Sequence, residues 1–231
     1  MIPDELLMTT RGVRRRLDPS REVPDDVIRE CVACALQAPA GSNVSRARFV
    51  VVKQPDLRRA IAAIYADVYE HEYRPSPGYL GRVRLASSAA QARQERTARS
   101  ADALPQKLAE VPALVIACLV GGRVDGASAL VAASLLGGVL PAMWSFMLAA
   151  RARGLGTCWT TMHLSREREV ADLLGIPYEH VQQVCLSPLA YTSGTDFRPA
   201  ARPTPEDAIH WNVWDAGKLL PPPSRLLSDG S

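Results

Sequence analysis

Residues 127–150, ASALVAASLLGGVLPAMWSFMLAA, run without a single charged side chain over a length that would cross a lipid bilayer. Such a run either spans a membrane or forms a helix covered by protein around most of its circumference. Its richness in Ala, Ser and Gly, the internal Pro141 and the lack of a second run of this kind all favour the covered helix. Small residues let neighbouring backbones approach closely. The expectation is a central helix over 127–153, buried by its own domain and by a partner chain.

The rest of the chain supplies what such a helix would pack against. At 231 residues and 47% hydrophobic content it suits one large α/β domain or two small ones. A formal net charge of +3 excludes a strongly basic nucleic-acid binder unless the charge is concentrated. It is concentrated once, in RGVRRR at 11–16, which lacks the aromatics and reading motif of a nucleic-acid arm. The five cysteines, Cys31, Cys34, Cys118, Cys158 and Cys185, are odd in number and set in apolar surroundings. That argues against a disulfide framework and for a reducing cytoplasm. Cys31 and Cys34 fall within a helical pattern and have no second pair to complete a zinc site. No apolar secretory leader is evident near the N-terminus.

Periodicity and punctuation divide the chain further. A short helix is predicted over 4–9, followed by an extended arginine-rich stretch with Arg11, Val13 and Arg15 on one side and Gly12 and Arg14 on the other. Pro24 opens a helix that reaches Leu36, with Asp25 and Asp26 at the positive end of its dipole. Strands are predicted at about 48–53, 113–120 and 180–191, with a further strand leading from 154 into a loop by 164. The stretch 55–73 has helical spacing and places Tyr65, Tyr69 and Tyr73 on one stripe, which reads as packing rather than as a substrate platform. Residues 74–109 are irregular and predict a mobile cap with one or two helices. Ser165 is the predicted N-cap of a helix over 165–176. A Pro-rich tail at 219–231 is expected to be disordered or to wrap a neighbour. Helices outnumber strands, so the class is α+β, with one domain over 1–218 and 65–110 as its lid.

Chemistry-bearing residues collect in three polar islands, TTRGVRRR (9–16), PAGSN (39–43) and TCWTTM (157–162), each beside an apolar element. No hydrolase triad, zinc-protease motif or phosphate-binding P-loop is present, and four scattered histidines predict no metal site. Arginines beside a small residue suit a phosphate, and hydroxyls at a strand end suit a polar ligand.

In order and spacing, TTRGVRRRLDPSREVPDDVI, APAGSNVSRARFVVV, ARARGLGTCWTTMHLSREREVADLLGIP and RPAARPTPEDAIHWNVW together resemble the nitroreductase-like flavoproteins. The resemblance implies a three-layer fold with a mostly antiparallel central sheet flanked by helices, and an intertwined homodimer with active sites at the interface. It also implies noncovalent FMN reduced by NADPH or NADH, with hydride transfer in ping-pong fashion through flavin N5 to a small aromatic acceptor such as a nitroaromatic or quinone. Carried onto this chain, Arg11 and Gly12 match the phosphate-side pair, and Arg14 matches the cation near the N1/O2 edge. Pro39, Ala40, Gly41 and Asn43 match the loop reaching the partner's flavin. Trp159, Thr160, Thr161 and Met162 match the segment passing the ring, with the two threonines near N5. Arg202 matches the late phosphate arginine, with Arg198 as second choice. No side chain is expected to act as a catalytic base, because the flavin carries the chemistry.

Two departures stand out: Ser45, Arg46 and Ala47 replace a common Q-P-W, and Gly138 replaces a frequent glutamine. The paired threonines also resemble the iodotyrosine deiodinase and flavin-destructase branches. A reductive dehalogenase, a flavin-consuming oxygenase or a non-catalytic flavin-binding, redox-sensing protein are the alternatives.

Overall fold

A computed structural model describes residues 2–85, 87–215 and 217; the tail predicted at 219–231 lies outside them. The helices are α1 (Pro3–Thr9), α2 (Asp25–Ala35), α3 (Pro55–Val68), α4 (Ser88–Asp102), α5 (Leu104–Lys107), α6 (Ala129–Ala152), α7 (Glu167–Leu174) and α8 (Pro205–Ala208). The strands are β1 (Leu17–Asp18), β2 (Ala47–Val52), β3 (Ala113–Val120), β4 (Leu155–Thr157) and β5 (Val181–Thr192).

The sheet is antiparallel in all its named pairings, in the order β1-β5-β3-β2, with β4 also pairing β5. Its centre is β3, whose sequence ALVIACLV is apolar at every position because both of its faces are covered. Ala113, Val115, Ala117 and Leu119 pack with α2 and α6. Leu114, Ile116 and Cys118 pack with residues of α3, α5 and α7. Alternate residues of one strand thus feed two cores, and the three-layer α+β architecture follows from that.

α6 starts where Ser128 accepts a hydrogen bond from the Val131 N–H at 3.4 Å. Its second half is mostly buried, with Val139, Met143, Phe146 and Met147 in the core beside α2 and Trp144 left 39% exposed. Its first half is not: Leu130 is 77% exposed and Val131 45%. The helix is long and apolar enough to cross a membrane, and 28% of its apolar window is buried within the chain. Its own domain therefore covers only part of it.

Three local expectations need correction. The arginine-rich stretch is not extended. The Leu17 N–H donates to the Arg14 carbonyl at 3.4 Å, and Val13 turns inward while Arg11 and Arg15 stay exposed. Ser165 does not cap α7. It sits inside a 3-10 turn, Met162–Arg166, that runs straight into the helix, so the N-terminal N–H groups are approached by a turn rather than a side-chain cap. The helix predicted over 55–73 changes to a π turn at Tyr69–Tyr73, closed by the Arg74 N–H on the Tyr69 carbonyl at 2.9 Å. The strand expected to lead from 154 into a loop is β4, Leu155–Thr157. Helix α4 and the short α5 account for the one or two helices expected in 74–109, and α4 is capped by Ser87.

Candidate functional site

The first and third polar islands meet at the end of β4. The Val13 N–H donates to the Thr157 carbonyl at 2.7 Å, laying the arginine turn across the strand. Gly156 permits that approach. A Cβ there would stand 2.7 Å from Thr192 Cγ2 and 3.0 Å from Val13 Cβ, closer than packed side chains tolerate. At Gly12 a Cβ would lie 3.3 Å from the Cys158 sulfur and 3.7 Å from the Arg14 guanidinium nitrogens. The missing side chain leaves Arg14 its place beside the buried thiol. Burial pushes the Cys158 thiol up from its ordinary range, with Arg14 opposing the shift.

Beyond β4 the chain is pinned to β5 at two points. The Cys158 N–H donates to Ser187 Oγ at 3.0 Å. Thr160 and Leu186 exchange both backbone hydrogen bonds at 2.9 Å each. Trp159 packs toward the α6 side and Met162 toward the α3 side. Thr160 Oγ1 lies 3.0 Å from the Tyr65 hydroxyl, whereas Thr161 is exposed and its carbonyl starts the 3-10 turn by accepting from the Leu164 N–H at 2.9 Å. Tyr65 and Tyr69 are buried at 3% and 2% exposure, so the tyrosine stripe is packing, as its spacing predicts.

The chain between β5 and α8 returns to the arginine turn. Arg16 donates to the Ser193 carbonyl at 2.8 Å and to Asp196 at 2.6 Å, which holds the Asp196 carboxyl below its ordinary range. The guanidinium carbons of Arg16 and Arg151 each sit 4.4 Å from the centre of the Phe197 ring. Arg151 also donates to the Thr195 carbonyl at 3.3 Å, although its Nε has no partner and burial lowers its pKa. Fixing residues 193–197 in this way delivers the Arg198 carbonyl to Arg11 Nη1 at 3.1 Å. Arg202 lies exposed further along.

Sequence reasoning missed Arg16 and Arg151 as builders of this loop. Arg151 carried a signal, since it is the first charge after the apolar run. Arg11, Arg14, Arg15, Arg198 and Arg202 form no ion pair with any described carboxylate.

The second island stands apart. Residues 39–43 form a 3-10 turn at Gly41–Asn43, with Asn43 at φ 57°, a left-handed conformation that asparagine tolerates. The turn leans on α6: a Cβ on Gly41 would be 3.5 Å from the Ser134 carbonyl, and one on Gly138 would be 3.8 Å from Ala40 Cα. Gly138 therefore faces the turn, where a glutamine would have reached over it. No hydrogen bond among the described residues joins this turn to the other two islands. Ala40 and Gly41 thus lie against the uncovered half of α6, with Pro39 and Asn43 beside them in the chain.

His163, next to Met162, is fully buried with both ring nitrogens unpartnered, and burial pushes its pKa down to about 4. Among the described residues, no group of three or more His, Cys, Asp or Glu side chains is arranged to hold a metal ion.

No curated protein matches the sequence. Solved structures do match the fold. One is an oxidised iodotyrosine deiodinase bound to FMN and 3-iodo-L-tyrosine, at TM-score 0.67 and 20% identity over 92% of this chain and 100% of that one. A BluB-like flavoprotein from Clostridium difficile matches at TM-score 0.66 and 16% identity over 91% and 99%. An NADH dehydrogenase/NAD(P)H nitroreductase, so described, from Bacteroides thetaiotaomicron matches at 0.60 and 19% over 91% and 96%. At these identities the likeness establishes fold alone. The sequence carries the relationship further, because the nitroreductase family model covers residues 7–191, from the arginine turn through β4 and nearly to the end of β5. This chain belongs to the nitroreductase family.

Proposed function

We propose that the protein is an FMN-dependent NAD(P)H oxidoreductase that works as a homodimer. The observation that carries the reading is a turn bearing arginines without carboxylate partners, with Arg14 beside Cys158 at the end of β4 and Arg11 bonded to the Arg198 carbonyl. Arginines left unneutralised on a fixed loop suit an anion, and phosphate matches their forked geometry. The residues present fit the cofactor. Arg11, Arg198 and Arg202 supply cations for its phosphate. Gly12 leaves room for close approach, and Arg14 supplies a charge that favours an electron-rich ring.

Bound FMN would accept a hydride from NADPH or NADH and return it to a small aromatic acceptor such as a nitroaromatic or quinone. The protein's share is to hold and orient both ligands in turn. Trp159, Thr160, Thr161 and Met162 flank the ring in this reading, with Thr160 and Thr161 as the hydroxyl donors. No side chain is required to take up a proton from carbon.

The turn at 39–43 and the uncovered half of α6 support the dimer. Leu130, Val131, Leu140 and Trp144 are exposed apolar side chains on one helix, and a second copy would cover them. The turn leaning on that half of α6 would then reach the partner's flavin. Residues 1–218 form one domain in this proposal, with 65–110 as the lid. The five free cysteines suit the reducing cytoplasm.

The test is a visible spectrum of the purified protein before and after anaerobic NADPH or NADH. Flavin bands that bleach and recover in air are expected. A protein that stays colourless with added FMN would sink the proposal. Bands that never recover on aeration would point to flavin consumption, and bleaching by dithionite but not by nucleotide would point to a binding protein without turnover.

A further inference from the structure

The hydrogen bond between Tyr65 and Thr160 has a direction that chemistry decides. Its oxygens are 3.0 Å apart and either could donate on distance alone. Tyr65 is buried, stacked on Tyr69 at 6.2 Å between ring centres and 16° between planes. Burial pushes its ionisation up to about 12, so at neutral pH the phenol keeps its one proton. If Thr160 donated to the phenol oxygen, that proton would face the core without a partner, at a cost of about 1–3 kcal/mol. Donation from Tyr65 to Thr160 Oγ1 leaves no such orphan.

The other polar groups of Thr160 are committed as well. Its N–H and carbonyl both bond Leu186 at 2.9 Å. Its hydroxyl, with one lone pair taken by Tyr65, keeps its proton and one further lone pair. The ring behind Tyr65 is itself held, because the Tyr69 and Tyr79 hydroxyls both donate to Asp102 Oδ1 at 2.8 Å, tying the tyrosine ladder to α4.

We infer that Tyr65 is a positioning residue that donates to Thr160 Oγ1 and thereby fixes the Thr160 hydroxyl as a donor toward the ligand ring. The inference rests on the flavin reading above. A committed donor prefers an acceptor, and the hydride-accepting ring nitrogen of oxidised flavin is one. After reduction the same nitrogen carries hydrogen, and Thr160 meets it only by turning its proton away and using its one remaining lone pair. The pair Tyr65–Thr160 therefore favours the oxidised cofactor and lowers its midpoint potential. Cooperative polarisation along the two hydroxyls strengthens the effect.

The experiment is a potentiometric titration of the FMN-loaded protein and its variants, followed by absorbance. Tyr65→Phe frees the Thr160 hydroxyl to turn and accept, so its midpoint should rise. A tenfold gain in the ratio of reduced to oxidised FMN affinity corresponds to about 30 mV for two electrons. Thr160→Val should raise it too, adding Tyr65→Phe to Thr160→Val should change nothing further, and Thr160→Ser should keep the parent value. Replacing Tyr65 by 3-fluorotyrosine, which preserves the packing and strengthens the donor, should lower the midpoint. This variant decides the matter should Tyr65→Phe fail to fold.

A midpoint moved by Thr160→Val but by neither change at Tyr65 would overturn the positioning role while leaving the flavin reading intact. Bound FMN whose potential none of these variants moves would overturn it as well. A parent protein that takes up no FMN would instead remove the flavin reading, and this inference with it.

Discussion

Arginines do opposite work in two regions of this molecule. Around α7 each is neutralised. Arg123 meets Glu167 through two contacts of 3.2 and 2.6 Å, Arg166 reaches Asp67, Glu72 and Glu169, and Arg168 pairs with Glu179. Around β4 and the chain after β5, Arg11, Arg14, Arg15, Arg198 and Arg202 have no carboxylate among the described residues, while Arg16, paired with Asp196, serves to fix the loop. A protein that neutralises one set and leaves the other bare is not simply basic. The first set joins helices to strands, and in the proposed function the second is left for an anion.

The comparison is broken most severely from the bare side. Arg11→Ala combined with Arg202→Ala should weaken FMN binding by about 100-fold or more while the fold stays intact, since each removes a charge-assisted contact worth about 1.5–3 kcal/mol. Fluorescence titration with FMN, beside circular dichroism of the apoprotein, measures both halves. Full-strength FMN binding would show that these arginines are not the anion site.

On the paired side the expected loss is stability. Glu167→Gln removes one of two carboxylates from Arg123, whose side chain is only 13% exposed and which keeps Asp125 at 2.5 Å, and it weakens the 2.7 Å bond from the Gln183 N–H. A loss of about 1.5 kcal/mol in urea unfolding is expected, with FMN affinity unchanged where the protein is folded. Loss of FMN affinity in the folded variant would mean the two regions are coupled.

The turn joining the regions holds His163, which sharpens the contrast because it must stay uncharged. Its folded pKa, about 4, lies below the unfolded value of about 6.5. Between these values the unfolded chain binds the extra proton, so stability is complete above about pH 6.5 and is lost as pH falls toward 4, by up to about 3 kcal/mol. His163→Phe should flatten that part of the pH–stability curve and remove two unpartnered ring nitrogens. An unchanged slope would show that the imidazole finds a partner.

The smallest effect belongs to Arg166→Ala, an exposed set of pairs whose removal should move the melting midpoint by less than about 3 °C.

Much of the frame was legible because it depends on local pattern. The all-apolar β3, the Pro24–Asp25–Asp26 start of α2 and the length of α6 each follow from residues adjacent in the chain. Arg11, Gly12 and Thr160 were legible as a group through motif order, which also explains why Arg16 escaped notice: its partners, Ser193 and Asp196, lie far off in sequence. Ser165 looked like a cap because serine before a charged helix usually is one, but the 3-10 turn from Met162 already approached the helix end. The Tyr65–Thr160 bond joins a helix to a strand end, and no periodicity announces such a contact.

The uncovered half of α6 has a consequence for how this protein is made. In the proposed dimer, covering Leu130 and Val131 is a bimolecular event, so folding and assembly become one equilibrium that is second order in chain. Dilution alone should then lower the melting temperature, and a newly made chain would be most exposed to aggregation before it meets its first partner.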